Sequence, residues 1–183
     1  PSQEGLYRHF KAIANNTNLP IILYNIKGRT GVNLETSTLL RLAKDCSNIV
    51  AVKEASGDMN QIKEIIKKRY KGFSVLSGDD KLTYELIKEG GDGVISVVSN
   101  YAPREMSNLV DYALKGKYSD AKRLHDKLSP LFEASMLAGN PSSIKYILEK
   151  RGKIPECVYR LPICEPSETD KAKIENLLEN IGF

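Results

Sequence analysis

The sequence is first informative through what it lacks. No apolar run approaches the ~18 residues that a membrane-spanning helix needs, and the opening residues do not have the pattern of a secretory signal. The formal net charge is only +4, and lysines are mixed with acids without a block of one sign. Such a surface does not favour a nucleic acid or an anionic membrane as a partner. We therefore expect a cytoplasmic protein with neither partner.

Cysteine and histidine are scarce, and this argues against metal and disulfide chemistry. The three cysteines, Cys46, Cys157 and Cys164, are scattered without metal-ligand spacing. His9 and His125 fall within helical patterns, where packing or surface roles are expected. We find no Walker loop, no dinucleotide fingerprint and no Ser-His-Asp arrangement. The sequence therefore predicts reduced thiols and no metal site.

What is present is a regular alternation of strand and helix patterns. Four apolar strand segments recur at roughly 20–30 residues, the usual size of a strand–helix unit. Such an alternation predicts an α/β protein with a parallel sheet, in which the carboxyl ends of the strands lie at one edge. Two glycines predict a loop over residues 25–31. The predicted strands are residues 19–24, 49–53, 73–76 and 93–98.

Lys53 ends the most apolar of these strands, residues 49–52 (Ile-Val-Ala-Val). A lysine at the carboxyl end of a buried strand either reaches solvent or a carboxylate partner, or has a lowered pKa and acts as a nucleophile. Tyr24 ends the preceding strand, and neighbouring strands lie about 4.8 Å apart. Tyr24 is therefore either a proton carrier beside Lys53 or an aromatic that covers the core.

Two loops add candidate binding groups. Arg29 lies between Gly28 and Gly31, and it is either a residue that holds a substrate carboxylate or an exposed surface arginine. Residues 77–80 (Ser-Gly-Asp-Asp) either cap the next helix or bind an anion through backbone amides near Gly78.

The strand pattern ends near residue 116. Beyond it, apolar residues recur mainly at helical spacing. Asn140 and Pro141 predict an N-cap followed by the first residue of a helix, and Ser167 predicts the opening of the last helix. We predict a barrel-like portion in residues 1–116 and a C-terminal helical domain in residues 117–183.

Several motifs in this order resemble those of the dihydrodipicolinate synthase family. Tyr24, Asn25 and residues 28–31 (Gly-Arg-Thr-Gly) resemble its Y-N-x-P-x-R-T-G segment, and residues 53–57 (Lys-Glu-Ala-Ser-Gly) resemble its Schiff-base segment. The resemblance covers essentially the whole chain. Its other parts are residues 1–7, 76–80, 90–96, 140–141 and 160–162.

The resemblance implies a TIM (β/α)8 barrel, represented here by its later strand–helix units, followed by a C-terminal helical domain. It implies a homotetrameric lyase without metal or organic cofactor. The implied reaction condenses pyruvate with L-aspartate 4-semialdehyde to 4-hydroxy-tetrahydrodipicolinate in diaminopimelate and lysine biosynthesis. Lys53 is expected to form the Schiff base and Tyr24 to shuttle protons. Arg29 is expected to hold the aldehyde's carboxylate, and the backbone at Gly78 and Ile95 to border the pyruvate site.

The chain also departs from the family pattern. Lys27 stands where the family usually has a proline, and Ser142 and Ser143 follow Pro141 where a second proline is often found. The resemblance begins about a third of the way into the family's chain. Four strand–helix units do not close an eight-stranded barrel. We therefore expect a fragment of a longer chain, or a partner that supplies the N-terminal part of the barrel. Pairing of two half-barrels with each other is the third alternative.

Three other functions remain open. N-acetylneuraminate lyase and related keto-acid aldolases share the tyrosine and the lysine, but the sialic-acid branch typically lacks an arginine at the position of Arg29. The chain is alternatively an inactive fragment that needs its missing part. An anion-binding module that uses the loop at Gly78 is the third alternative.

Overall fold

The computed structural model describes residues 1–179 and residue 181, in two compact units that divide between Ile95 and Ser96. The first unit contains a four-stranded parallel sheet in the order β1-β2-β3-β4. An α/β fold with a parallel sheet is therefore confirmed. The elements of this unit are α1 (Gln3–Asn15), β1 (Ile21–Asn25), α2 (Lys27–Thr30), α3 (Thr36–Asp45), β2 (Ile49–Glu54), α4 (Met59–Lys68), β3 (Ser74–Ser77), a 3-10 turn (Asp80–Leu82), α5 (Thr83–Lys88) and β4 (Gly93–Val94).

The second unit is helical over its described residues. It begins with a 3-10 turn (Val98–Asn100), and α6 packs against α7 while α7 and α8 pack against α9. The elements are α6 (Pro103–Leu114), α7 (Tyr118–Ala134), α8 (Ser142–Lys150) and α9 (Glu168–Glu179). The division of the chain at residue 116 remains a prediction.

The two faces of the sheet are covered unequally. Leu23, Val52 and Val75 are almost fully buried on the face against which the helices pack. Ile22 and Tyr24 lie on the opposite face and are 47% and 45% exposed. Because side chains alternate along a strand, this second face also carries Lys53 and Leu76, which are half-buried, and Ala51, which is buried. We call it the open face.

Three local predictions were wrong. The predicted loop at residues 25–31 contains the single helical turn α2, which ends at Gly31 with a left-handed φ of 72°. The predicted strand at residues 93–98 is only two residues long, because Val97 already has helical dihedral angles that begin the next turn. The N-cap of α8 is Pro141 instead of Asn140, since the first helical residue is Ser142.

The last helix begins as its sequence predicts. Ser167 accepts a hydrogen bond from the backbone N–H of Asp170 at 3.2 Å and donates to its carboxylate at 2.7 Å. This reciprocal arrangement satisfies a backbone donor of the first helical turn. None of the helices in the described part of the chain is long and apolar enough to span a membrane.

Candidate active site at the carboxyl ends of the strands

Tyr24 and Lys53 lie side by side on the open face of the sheet. They are direct partners in the register between β1 and β2. The ammonium nitrogen of Lys53 lies 4.1 Å from the centre of the Tyr24 ring. Lys53 is half-buried and Tyr24 is 45% exposed, so small molecules can reach both groups in the first unit. The structure thus brings together the two residues that were predicted to meet, although their catalytic roles remain predictions.

Gly78 packs directly against the Lys53 side chain. A Cβ atom at this position would lie 2.6 Å from Ala55 Cβ and 3.1 Å from both Cγ and Cε of Lys53. The backbone N–H of Gly78 donates to Glu54 O at 2.8 Å, which holds the two strand ends together. The absence of a side chain at Gly78 is therefore what leaves room for the extended lysine.

The loop after Gly78 caps the 3-10 turn Asp80–Leu82. Ser77 donates its hydroxyl hydrogen to Asp79 O at 2.6 Å, and the Asp79 carboxylate accepts from Lys81 N at 2.9 Å. Capping of the next helix was one of the two predicted roles for residues 77–80; Asp79 caps the 3-10 turn that leads into α5, while α5 itself has no side-chain cap hydrogen bond. The binding role of Gly78 remains a prediction.

Ile95 lies beside the end of β3. Its backbone N–H donates to Ser77 O at 2.9 Å, so strand-like pairing continues one residue beyond β4. The Ile95 side chain is 40% exposed. Gly78 therefore directly follows β3, and Ile95 directly follows its hydrogen-bonded neighbour β4.

Arg29 lies on the exposed turn of α2, five residues after Tyr24. Its backbone N–H donates to Ile26 O at 3.0 Å, and the turn closes when Gly31 N–H donates to Lys27 O at 2.9 Å. The short helix therefore carries an exposed guanidinium on the segment that follows β1. A role in substrate binding remains a prediction.

Sequence reasoning missed a set of buried polar residues behind Tyr24 and Lys53. Asn25 and Glu54 directly follow these two residues, and both are at least 98% buried. Asn33 and Gln61, which are half-buried, complete this set, which we call the polar cluster: Asn25, Asn33, Glu54 and Gln61. The alternation of side chains along a strand could have indicated these residues. It puts Asn25 and Glu54 on the buried face, where polar groups need hydrogen-bond partners.

The second unit has a polar cleft of about 510 Å³, but its charged side chains are paired within the protein. Lys171 contacts both Glu165 and Glu168, and Glu175 accepts a hydrogen bond from Tyr146 and pairs with Lys150. Burial and the neighbouring Glu175 raise the pKa of Tyr146 to about 12. Among the described residues, no group of three or more histidine, cysteine, aspartate or glutamate side chains is placed to hold a metal ion.

Known proteins resemble this chain over its full length. A 4-hydroxy-tetrahydrodipicolinate synthase of Syntrophus aciditrophicus is 48% identical over 183 residues, which are 100% of this chain and 62% of the relative. A dihydrodipicolinate synthase structure from Thermotoga maritima has a TM-score of 0.95 at 42% identity, over 100% of this chain and 62% of that one.

A second similar structure contains a small molecule. It is the chloride-inhibited dihydrodipicolinate synthase of Acinetobacter baumannii complexed with pyruvate, with a TM-score of 0.94 at 40% identity, over 100% of this chain and 62% of that one. The chain thus spans about 60% of the length of the relatives that it matches. The family profile described as the dihydrodipicolinate synthetase family matches residues 1–181. On this match, the chain belongs to the dihydrodipicolinate synthetase family.

Proposed function

We propose that the protein is a Schiff-base lyase that condenses pyruvate with L-aspartate 4-semialdehyde to 4-hydroxy-tetrahydrodipicolinate, in diaminopimelate and lysine biosynthesis. The observation that carries this proposal is the placement of Lys53 Nζ 4.1 Å from the Tyr24 ring, on the open face, in a member of this family. A partly buried lysine next to a tyrosine on the neighbouring strand is suited to imine formation, for which the tyrosine can carry protons.

The proposed chemistry uses only side chains of the chain. The neutral Lys53 amine attacks the ketone carbon of pyruvate, and loss of water from the addition product forms a protonated imine. The imine withdraws electrons, so that a methyl proton leaves and an enamine forms. The enamine carbon then bonds to the aldehyde carbon of the second substrate, whose oxygen takes up a proton and becomes a hydroxyl group. The amino group of that substrate attacks the imine carbon, which closes the ring and releases the Lys53 amine. Tyr24 carries protons to and from these groups, and Arg29 holds the second substrate's carboxylate with paired hydrogen bonds. The backbone at Gly78 and Ile95 borders the pyruvate.

We extend the proposal to the architecture. The four strands correspond to the later part of a (β/α)8 barrel, and residues 117–183 correspond to its C-terminal helical domain. The open face supports this assignment, because in a closed barrel that face is covered by the remaining strands. The natural protein would then be a longer chain, or would have a partner that supplies those strands, and would assemble as a cytoplasmic homotetramer. Intact-mass measurement and N-terminal sequencing of the natural protein test the longer chain.

Trapping with borohydride tests the chemistry. The purified protein is incubated with pyruvate and sodium borohydride, and peptide mass spectrometry locates the reduced adduct. We expect the adduct on Lys53, its loss in Lys53→Arg, and its retention in the control Lys67→Arg, since Lys67 is exposed on α4. An adduct that is absent or lies elsewhere contradicts the assignment of Lys53.

The acceptor aldehyde is tested separately. We expect turnover with pyruvate and L-aspartate 4-semialdehyde, and a large rise of KM for the aldehyde in Arg29→Ala. Cleavage of N-acetylneuraminate without this condensation would favour the sialic-acid branch instead. If Lys53 traps pyruvate but neither the condensation nor the cleavage occurs, the remaining barrel strands are needed for turnover.

A further inference from the structure

The polar cluster joins the ends of β1 and β2 on the face opposite the candidate active site. Asn25 Nδ2 donates to the two carboxylate oxygens of Glu54 at 3.1 and 3.3 Å. Asn25 and Glu54 are direct partners in the strand register, as are Tyr24 and Lys53 one residue earlier. The cluster therefore fixes the strand ends immediately beside the two reactive side chains.

The donors and acceptors of the polar cluster match an ionised Glu54. Its carboxylate receives hydrogen bonds from Asn25 Nδ2, from Gln61 Nε2 at 3.4 Å and from the backbone N–H of Ser56 at 2.7 Å. All three partners are donors, and an ionised carboxylate is purely an acceptor. A glutamine in place of Glu54 would replace one of the two carboxylate oxygens with an NH2 group, and this donor would face other donors. The cluster is thus specific for a carboxylate, and a side chain of the same size does not replace it.

The polar cluster also holds the segment that follows Arg29. Asn25 Oδ1 accepts from the backbone N–H of Leu34 at 3.0 Å, and Asn25 Nδ2 donates to Asn33 Oδ1 at 2.9 Å. Gln61 Nε2 donates to Leu34 O at 3.1 Å. The chain that leaves β1 and carries Arg29 is therefore anchored again, eight or nine residues later, on the same buried side chains.

We propose that Glu54, acting through Asn25, is a positioning residue that sets the geometry of Lys53, Tyr24 and the Arg29 segment. The expected effects on pyruvate trapping and on the KM for the aldehyde rest on the proposed function. Its physical reason is that Lys53 and Glu54 are consecutive on one strand, so their side chains leave opposite faces of the same backbone. A shift of Glu54 to regain partners moves Lys53 as well. A displacement of about 1 Å in an active site lowers rates by up to roughly a hundredfold.

The first test is Glu54→Gln in the purified protein. The rate of pyruvate trapping at Lys53 is measured well below the thermal midpoint and is divided by the folded fraction from circular dichroism. We expect a decrease of roughly ten- to a hundredfold, with a raised KM for the aldehyde wherever turnover is measurable. A residue with a merely structural role would lower the folded fraction and leave the corrected rate unchanged, and that result overturns the proposal.

Glu64→Gln is the matched control. Glu64 is a carboxylate on α4 that also accepts a side-chain hydrogen bond, from Thr36 at 2.8 Å, but it belongs to no strand end. We expect its corrected trapping rate to equal that of the unmodified protein. An equal decrease in both variants would show a general effect of lost carboxylates and overturns the specific role of Glu54.

A swap of the two partners tests the pairing. The double variant Asn25→Asp/Glu54→Gln again places an acceptor opposite a donor. We expect it to trap pyruvate faster than either single variant, and a rate no higher than that of the slower single variant counts against the proposal. If Glu54→Gln does not fold, Gln61→Leu removes a donor to Glu54 and an acceptor for Asn33 from a less buried position. We expect several-fold slower trapping in the folded protein. An unchanged rate in that variant overturns the proposal.

Acylation separates this inference from the proposed function. If the unmodified protein does not trap pyruvate, the proposed function fails, and the rate at which acetic anhydride labels Lys53 is followed by peptide mass spectrometry. We expect Glu54→Gln to change this labelling rate several-fold while Glu64→Gln does not. Equal labelling in the unmodified protein and in Glu54→Gln overturns the positioning role whatever pyruvate does.

Discussion

At the scale of single residues, close packing around Gly78 sets the geometry of the candidate site. Gly78 has a backbone φ outside the left-handed region, so conformational freedom is not the reason for a glycine there. The reason is steric, because Ala55 and the Lys53 side chain occupy the space of a Cβ atom. Lys53 is therefore held by packing along its aliphatic part and by the Tyr24 ring at its charged end.

Gly78→Ala tests this packing. The new methyl group would lie 2.6 Å from Ala55 Cβ, so the strand end must shift. We expect urea unfolding to show that the free energy of unfolding falls by about 1–3 kcal/mol. We also expect pyruvate trapping at Lys53 to slow. Gly28→Ala is the control, since nothing lies within 4 Å of a Cβ atom there, and it should be neutral or slightly stabilising. Equal stabilities of the two variants would contradict the steric account.

A second residue-scale prediction concerns pH. The hydroxyl of Tyr7 donates to Asp45 at 2.6 Å, and this hydrogen bond is the main reason why the pKa of Asp45 is lowered. A carboxyl whose pKa is lowered on folding stabilises the fold above its unfolded pKa of about 3.9, and this contribution disappears as the pH falls through the folded value. Tyr7→Phe should therefore destabilise the protein at neutral pH and much less in acid.

The measurement is urea unfolding of Tyr7→Phe and the unmodified protein over a series of pH values. The difference in the free energy of unfolding between the two proteins should shrink on acidification. Tyr70→Phe, at an exposed tyrosine, serves as control and should show no such trend. A difference for Tyr7→Phe that is constant with pH would mean that the hydroxyl does not act through Asp45.

At the scale of elements, the cap of α4 connects helix formation to the site. The Asp58 carboxylate accepts from the backbone N–H groups of Asn60 at 2.8 Å and Gln61 at 3.3 Å. Gln61 in turn belongs to the polar cluster. The first turn of α4 is therefore stabilised at the point where it reaches the carboxyl end of β2.

Asp58→Ala should cost about 1 kcal/mol of stability because the first turn loses its side-chain acceptor. Asp58→Asn retains an acceptor oxygen, so its loss of stability should be only a small part of the loss in Asp58→Ala. Urea unfolding measures both. Hydrogen exchange of the Gln61 amide should accelerate in Asp58→Ala alone, and equal exchange in both variants would argue against capping by Asp58.

The elements themselves were largely predictable from sequence, and the exceptions have physical reasons. Apolar runs and helical spacing indicated the strands and most helices, because burial of one face imposes those periods. The short helix α2 was missed because one turn with two nearby glycines shows no period. Strand β4 was predicted too long because Val97 and Val98 have β-branched side chains, yet the backbone turns there. Tertiary context outweighs such local preferences.

The candidate site was predictable in part for the same reason. Tyr24 and Lys53 end apolar strands, and parallel neighbours bring such ends together. The polar cluster was missed because its members are 36 residues apart at the extremes, Asn25 and Gln61, and only the folded chain shows that their donors and acceptors match. The position of Arg29 relative to Lys53 depends on that same cluster.

At the scale of the whole molecule, the first unit keeps part of one sheet face exposed. Ile22 is 47% exposed on the open face, whereas Leu23 beside it is 2% exposed. An apolar face of this kind is usually covered by another part of a protein. The chain also spans about 60% of the length of its relatives. These two facts agree with the proposed longer barrel.

The open face predicts how the 183-residue chain behaves on its own. It should bind a hydrophobic dye, and Ile22→Thr should lower the fluorescence while changing stability by about 0.5 kcal/mol or less, because the site is half exposed. Leu19→Thr is the control, since Leu19 is 71% exposed but precedes β1. Fluorescence that falls equally in both variants would show that the dye does not report the open face.

The alternation between Lys53 and Glu54 has a consequence for protein engineering. One backbone step separates the side that does the proposed chemistry from the side that holds the strands in register. Changes of substrate preference can thus be sought among open-face positions such as Leu76 and Ile22 without redesigning the hydrogen bonds behind them. The same alternation warns that an insertion of one residue in β2 would exchange the two sides and leave a lysine where the carboxylate belongs.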